Sequence, residues 1–272
     1  MLRQPVVAGR FYSADPVVLR RDVDSYLSPR EERQHAIACM VPHAGYMYSG
    51  QVAGAVFSRI EIPDRCVVLC PNHTGRGHPL AIMDEGEWKT PLGNIAIDSE
   101  LAAQIINNFP ALVPDAAAHQ SEHAIEVELP FLQVLRPETT FVPIAIGTSR
   151  LMLLEPLGEA LAAVINGDTA KQSERGVLII ASSDMNHYED DATTRIKDRK
   201  ALDKILALDP PGLHETVLNE SISMCGFGPA IAMLAAAKRL GATRAELVQY
   251  ATSGDVSGDR DMVVGYAGIV VT

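Results

Sequence analysis

The chain has 272 residues, 47% of them apolar, with a formal net charge of −11. That much apolar material can bury a sizeable core in one domain spanning 1–272. The acidic balance, with no Lys/Arg cluster, argues against nucleic acid, and no apolar run approaches the ~20 residues of a membrane span.

Four cysteines are too few for a disulfide scaffold and suit a reducing cytoplasm. The N-terminal MLRQPVVAGRFYSADP lacks the apolar core of a signal peptide. Residues 1–15 read as irregular, broken by Pro5 and Gly9. Asp15-Pro16 then opens a helix to about Leu27, with Asp as cap and Pro in the first turn. A charged surface loop runs from Ser28 to Gln34. The apolar run Ala36–Val41 predicts a buried strand, and a small-residue helix follows from Gln51 to Ile60. Arg65–Cys70, rich in β-branched residues, predicts a second buried strand.

Leu80–Met83 and Asn94–Ile97 read as short strands around a turn-rich segment, Asp84–Gly93, that holds the single Trp88. Asp98-Ser99 caps a helix to Asn108, and Ala111–Gln120 reads as loop. A helix is expected from Ser121 through Leu135, kinked or limited by Pro130. Phe141–Ile146 is a strand, Leu151–Ile165 an amphipathic helix, and Asn166–Arg175 an exposed loop. Gly176–Ala181 is a strong buried strand. Helices follow over Thr193–Leu208, Pro211–Asn219 and from Pro229 to about Leu240. Glu246–Tyr250 and Met262–Val271 close the chain as paired strands. Strands alternating with helices predict an α/β fold, with a mixed β-sheet flanked by helices.

Three of the apolar strands run into polar loops that carry histidine. They are Pro42-His43-Ala44-Gly45, Pro71-Asn72-His73-Thr74 and Ser183-Asp184-Met185-Asn186-His187. In open α/β sheets ligands bind beyond the strand C-termini. Neutral imidazole is the commonest protein metal ligand, so the three loops are candidates for one shared site. Cys225, just before Gly226 and a helix, is a candidate thiolate, because a helix N-terminus favours that form. Cys66 and Cys70, within a strand, are core. Asp184 and His187 can form an acid/base couple in which the carboxylate holds the imidazole tautomer. His123 is expected at a helix start. His35, His78, His119 and His214 read as surface, and Tyr46 and Tyr48 as core with a possible place in a pocket wall. The Gly-Asp segment 253–259 matches neither a calcium loop nor a phosphate loop and reads as a solvated turn. No C-x-x-C, G-x-S-x-G or H-E-x-x-H occurs, which argues against a zinc ribbon, a lipase elbow and a zincin helix.

Taken in order, several motifs resemble the Memo family. They are Pro42–Tyr46, Pro71–His73, Thr90–Gly93, Glu122–Glu126, Ser182–His187, Cys225-Gly226 and Tyr250–Asp255. The resemblance implies a fold similar to the class III extradiol dioxygenases, with a central twisted sheet and a pocket at the strand ends. It implies His43, His73 and Cys225 as ligands of a non-haem metal, with Asp184, His187 and His123 lining the pocket as acid/base groups. Two imidazoles and a thiolate suit iron, with copper or zinc as alternatives. The dioxygenases have a carboxylate where this family has the cysteine. The expected function is a redox or dioxygenase-like enzyme acting on a small, possibly aromatic substrate. The alternatives are a non-catalytic phosphopeptide adaptor, or a metal-handling accessory protein with AMMECR-like and radical-SAM partners. A zinc hydrolase is more remote.

Overall fold

A computed structural model describes residues 1–28, 33–168 and 176–272. The loops expected over 28–34 and 166–175 fall partly outside these residues. Among the described residues, a nine-stranded mixed sheet forms the centre of the fold. Four strands, Ala38–Val41, Val177–Ser182, Arg65–Pro71 and Thr140–Ile146, lie side by side in that order and are all parallel. Both faces of this block are covered. Cys66, Val68 and Cys70 point into one core layer, while Val67 and Leu69 point into the other. A period of two with both sets apolar is what a doubly covered parallel sheet requires.

The flanks make the sheet mixed. Val263–Val271 runs antiparallel to Ala38–Val41 and pairs antiparallel with Ala245–Thr252. On the other side Leu80–Ile82 is antiparallel to Thr140–Ile146. The helices Pro16–Tyr26, Tyr46–Phe57 and Leu129–Leu135 cover one face. Ser99–Asn108, Leu151–Asp168, Asp191–Leu206, Pro210–Asn219 and Phe227–Arg239 cover the other. Asp15 caps its helix by accepting the Val17 and Val18 N–H groups, as expected from Asp-Pro. Gly54 allows the first two helices to touch: a Cβ there would lie 2.4 Å from the Tyr26 carbonyl oxygen. Among the described residues no helix is long and apolar enough to cross a membrane.

Several local expectations are corrected. The helix expected from Ser121 begins only at Leu129, with Pro130 in its first turn. Before it, the Glu122 carboxylate takes up the His123 and Ala124 N–H groups and holds the chain in turns. Within Asp84–Gly93, Glu87–Thr90 is a strand; it buries Trp88 and pairs with Leu2–Arg3 and Gly93–Ala96. Val113–Pro114, read as loop, pairs with Leu80–Ile82. His119 is fully buried against Trp88, not on the surface, and burial together with Arg3 pushes its imidazole down to about 4.

The irregular N-terminal stretch is pinned by one buried carboxylate. Glu126 pairs with Arg3 and accepts from the Val6 and Val7 N–H groups and from the Tyr12 hydroxyl at 2.6 Å. Removing one partner of a buried ion pair costs about 3–5 kcal/mol. This anchor therefore fixes Phe11, which reaches the pocket described next.

Candidate metal centre

The parallel register brings the three histidine loops together. Val41 lies opposite Ser182, and Leu69 opposite Ala181, so the strands end within about one step of each other. The loops leave from one edge, as an α/β crevice demands. They enclose a cavity of about 470 Å³ walled by His43, His73, His123, Asp184, His187 and Cys225, with Phe11 and Tyr188 at its sides. A larger groove, about 620 Å³, shares only Phe11, Gly45 and no histidine with it, and it is there that Tyr46 and Tyr48 lie.

His43 is 2% exposed. Its backbone N–H donates to Asp184 Oδ1 at 2.8 Å, which ties the first loop to the third. Its Nδ1 sits 2.9 Å from Ser182 Oγ. The Ser182 hydroxyl donates to the Ala124 carbonyl at 2.8 Å, so it accepts from the imidazole. His43 therefore carries its proton on Nδ1 and presents the Nε2 lone pair to the cavity. Burial, reinforced by three neighbouring imidazoles, holds its pKa well below the usual histidine value.

His73 is set by an Asx turn and a carboxylate. Asn72 Oδ1 accepts from Thr74 and Gly75, and Gly75 takes φ +63° to close the turn. The His73 N–H and Nδ1 both engage the buried Glu122, at 2.6 and 2.9 Å. Burial opposes charge on His73, but the Glu122 hydrogen bond and charge outweigh it and raise the pKa. Its Nε2 is again left for the cavity. His123 follows Glu122, and burial holds its pKa down. One ring nitrogen from each of His43, His73 and His123 lies within 4.8 Å of the other two, so this group can hold a metal ion. Imidazoles anchored at the other nitrogen by a carboxylate or hydroxyl are what metal ligands require.

Cys225 comes from the opposite wall. Its Sγ is 3.3 Å from His43 Nε2 and 3.7 Å from the Asp184 carbonyl oxygen. Gly226 makes this approach possible, since a Cβ there would lie 2.4 Å from Ser183 Cβ. Burial, followed by the Asp184 charge, pushes this thiol well above the free value and outweighs the Gly226 N–H at the helix start, which lowers it. Two donors on one tetrahedral ion, at typical Zn–S and Zn–N lengths, stand about 3.5 Å apart, which the Cys225–His43 separation matches.

The Asp184–His187 couple is arranged differently from the expectation. His187 Nδ1 donates to the Ser223 carbonyl at 2.9 Å, and its N–H donates to Ser223 Oγ, so Ser223 holds the tautomer. Asp184 instead accepts from the His43 backbone, and burial raises its carboxyl to about 7. No local sequence signal marks Glu122, Ser182 or Ser223 as the residues that orient these histidines. Glu122 stands in Glu-His-Ala-Ile-Glu, where a carboxylate beside a histidine reads equally well as a helix start.

A family model for Memo-like proteins matches residues 3–270. A MEMO1 family protein of Methanopyrus kandleri is 42% identical over 99% of both chains. Others from Methanosarcina mazei, at 42%, and Sulfurisphaera tokodaii, at 39%, also align over 99% of both chains. The fold and pocket define an α/β protein with a strand-end histidine cluster able to hold a metal. The chain belongs to the Memo-like family.

Proposed function

We propose that this pocket holds one non-haem metal ion through His43, His73 and Cys225 and acts on a small ligand bound beside it. The observation that carries this reading is the convergence of imidazole nitrogens whose opposite nitrogens are already bonded. Two imidazoles and a thiolate favour iron, with copper and zinc as alternatives. When bound, such an ion supplies Lewis acidity and, for iron or copper, redox chemistry. The dioxygenase-like activity implied by the family resemblance is the enzymatic form of this proposal.

The chain's own residues have definite parts in it. Ser182 and Glu122 orient His43 and His73. His187, held at Nδ1 by Ser223, keeps Nε2 free to take a proton from a ligand, and His123 is the second imidazole placed to do so. Asp184, raised to about 7, can hold or release a proton near neutrality. A reducing cytoplasm suits the site, since an oxidised Cys225 would no longer ligate. AMMECR-like and radical-SAM proteins are proposed as partners on the resemblance alone, and co-purification tests them.

The close approach of His123 to His43 and His73 favours a second ligand set, in which His123 replaces Cys225. Metal analysis of anaerobically purified protein tests both. His43→Ala and His73→Ala are expected to lose at least nine-tenths of the bound metal. Cys225→Ser losing it while His123→Ala keeps it assigns the thiolate; the reverse assigns three histidines. Full metal in His43→Ala and His73→Ala refutes the site.

A further inference from the structure

The residue after His187 is an anomaly. Tyr188 has φ +62°, a left-handed conformation that a bulky side chain adopts only at a cost. It is the extra residue of a β-bulge: His187 pairs with Val264 and Glu189 with Val263, leaving Tyr188 between them unpaired. A left-handed bulge position is ordinarily glycine. Here a tyrosine occupies it, and the residue is 71% exposed, so core packing does not repay the strain.

The flanks over-determine the conformation. His187 makes two hydrogen bonds to Ser223, whose hydroxyl lies 3.1 Å from the His187 carbonyl oxygen. The Asn186 N–H donates to Asp198 Oδ1 at 2.8 Å, and the Asn186 side chain donates to Glu189 at 2.7 Å. Glu189 in turn pairs with Lys197. The backbone is thus clamped on both sides of one strained aromatic residue. Tyr188 lines the histidine cavity, its ring centroid 5.5 Å from that of His187. The same cavity has a second aromatic wall in Phe11, whose ring sits edge-on to His123 at 4.9 Å. Bulges next to active sites serve to re-aim side chains.

We infer that Tyr188 is a specificity-determining platform that, with Phe11, selects a ligand with a planar aromatic ring. The inference rests on the reading of this cavity as a ligand site and deepens it. Offset or edge-on ring contacts contribute beyond simple burial, so losing the platform weakens ring binding roughly five- to tenfold. A non-aromatic chelator gains nothing from it.

The test uses iron-loaded and metal-free protein, with 4-nitrocatechol and oxalate as probes followed by titration. Tyr188→Ala is expected to bind 4-nitrocatechol about five- to tenfold more weakly, with oxalate affinity and iron content unchanged; Tyr188→Phe is expected to bind both probes like the parent. Tyr188→Gly relieves the backbone strain, so it is expected to melt higher while binding the aromatic probe as weakly as Tyr188→Ala. Unchanged 4-nitrocatechol binding in Tyr188→Ala overturns the platform. So does an equal loss of oxalate, or a lower melting point in Tyr188→Gly. A parent protein that takes up neither iron, copper nor zinc sinks the metal reading separately, and the comparison of parent and variant with the aromatic probe on metal-free protein then decides the platform.

Discussion

Two polar clusters of the fold, the network around 253–260 and the histidine pocket, behave in opposite ways. Around 253–260 the charges close on one another. Asp191 pairs with Arg195 and Arg260 and accepts from the Thr252 hydroxyl at 2.6 Å. Asp255 pairs with the same two arginines and accepts from the Thr252 N–H. The Gly-Asp segment is a short helix, Gly254–Ser257, held by this network. In the histidine pocket the bonds run the other way. Each of His43, His73 and His187 is tied at Nδ1, to Ser182, Glu122 and Ser223, and turns its second nitrogen toward the cavity, where that of His43 meets Cys225 Sγ at 3.3 Å. A cluster whose donors and acceptors are all matched internally stabilises the chain. One whose lone pairs converge on a cavity is set up to receive something else.

Breaking the orientation of the open cluster has the largest expected effect. Glu122→Gln removes the charge that His73 donates to, and metal affinity is expected to fall about 10–100-fold, read by competition with a chelator. An unchanged affinity would show that the carboxylate only caps the turn.

Asp198 sits between the two clusters. It accepts from the Asn186 N–H and from the Tyr250 hydroxyl, and burial raises its carboxyl to about 6. A raised acid contributes fully below its unfolded value near 4, and that contribution is lost as pH rises through 6. Asp198→Asn is therefore expected to flatten the stability profile between pH 4 and 7 by up to about 3 kcal/mol, measured by urea unfolding. A parallel profile in the variant would remove Asp198 from the pH dependence.

The smallest effect is expected in the closed cluster. The Arg260 side chain is half exposed, so Arg260→Ala should cost at most about 1 kcal/mol and leave bound metal untouched. A loss of metal in that variant would join the two clusters and erase the contrast.

The pocket was legible in part because one pattern repeats. A buried strand must end where its apolar run ends, and the residue just beyond it faces the crevice. His43, His73 and His187 could be found that way, and so could Asp184. Cys225 was legible as a cysteine freed from the core by a following glycine. What held these groups was not legible. Glu122 reaches His73 across 49 positions, and Ser182 reaches His43 across 139. Ser223 took from Asp184 the part of holding His187, because a backbone carbonyl has no side-chain signature.

The alternation of apolar strands and helices, the cap at Asp15 and the histidines at strand ends are local consequences of sequence, set by backbone sterics, period and burial. Which nitrogen of each histidine faces the cavity was decided by tertiary structure. So was the burial of His119 against Trp88, and the tyrosine held in a glycine's conformation at 188. Those depend on partners far along the chain, and only the strand register, by placing Val41 opposite Ser182, brings them within a hydrogen bond's length.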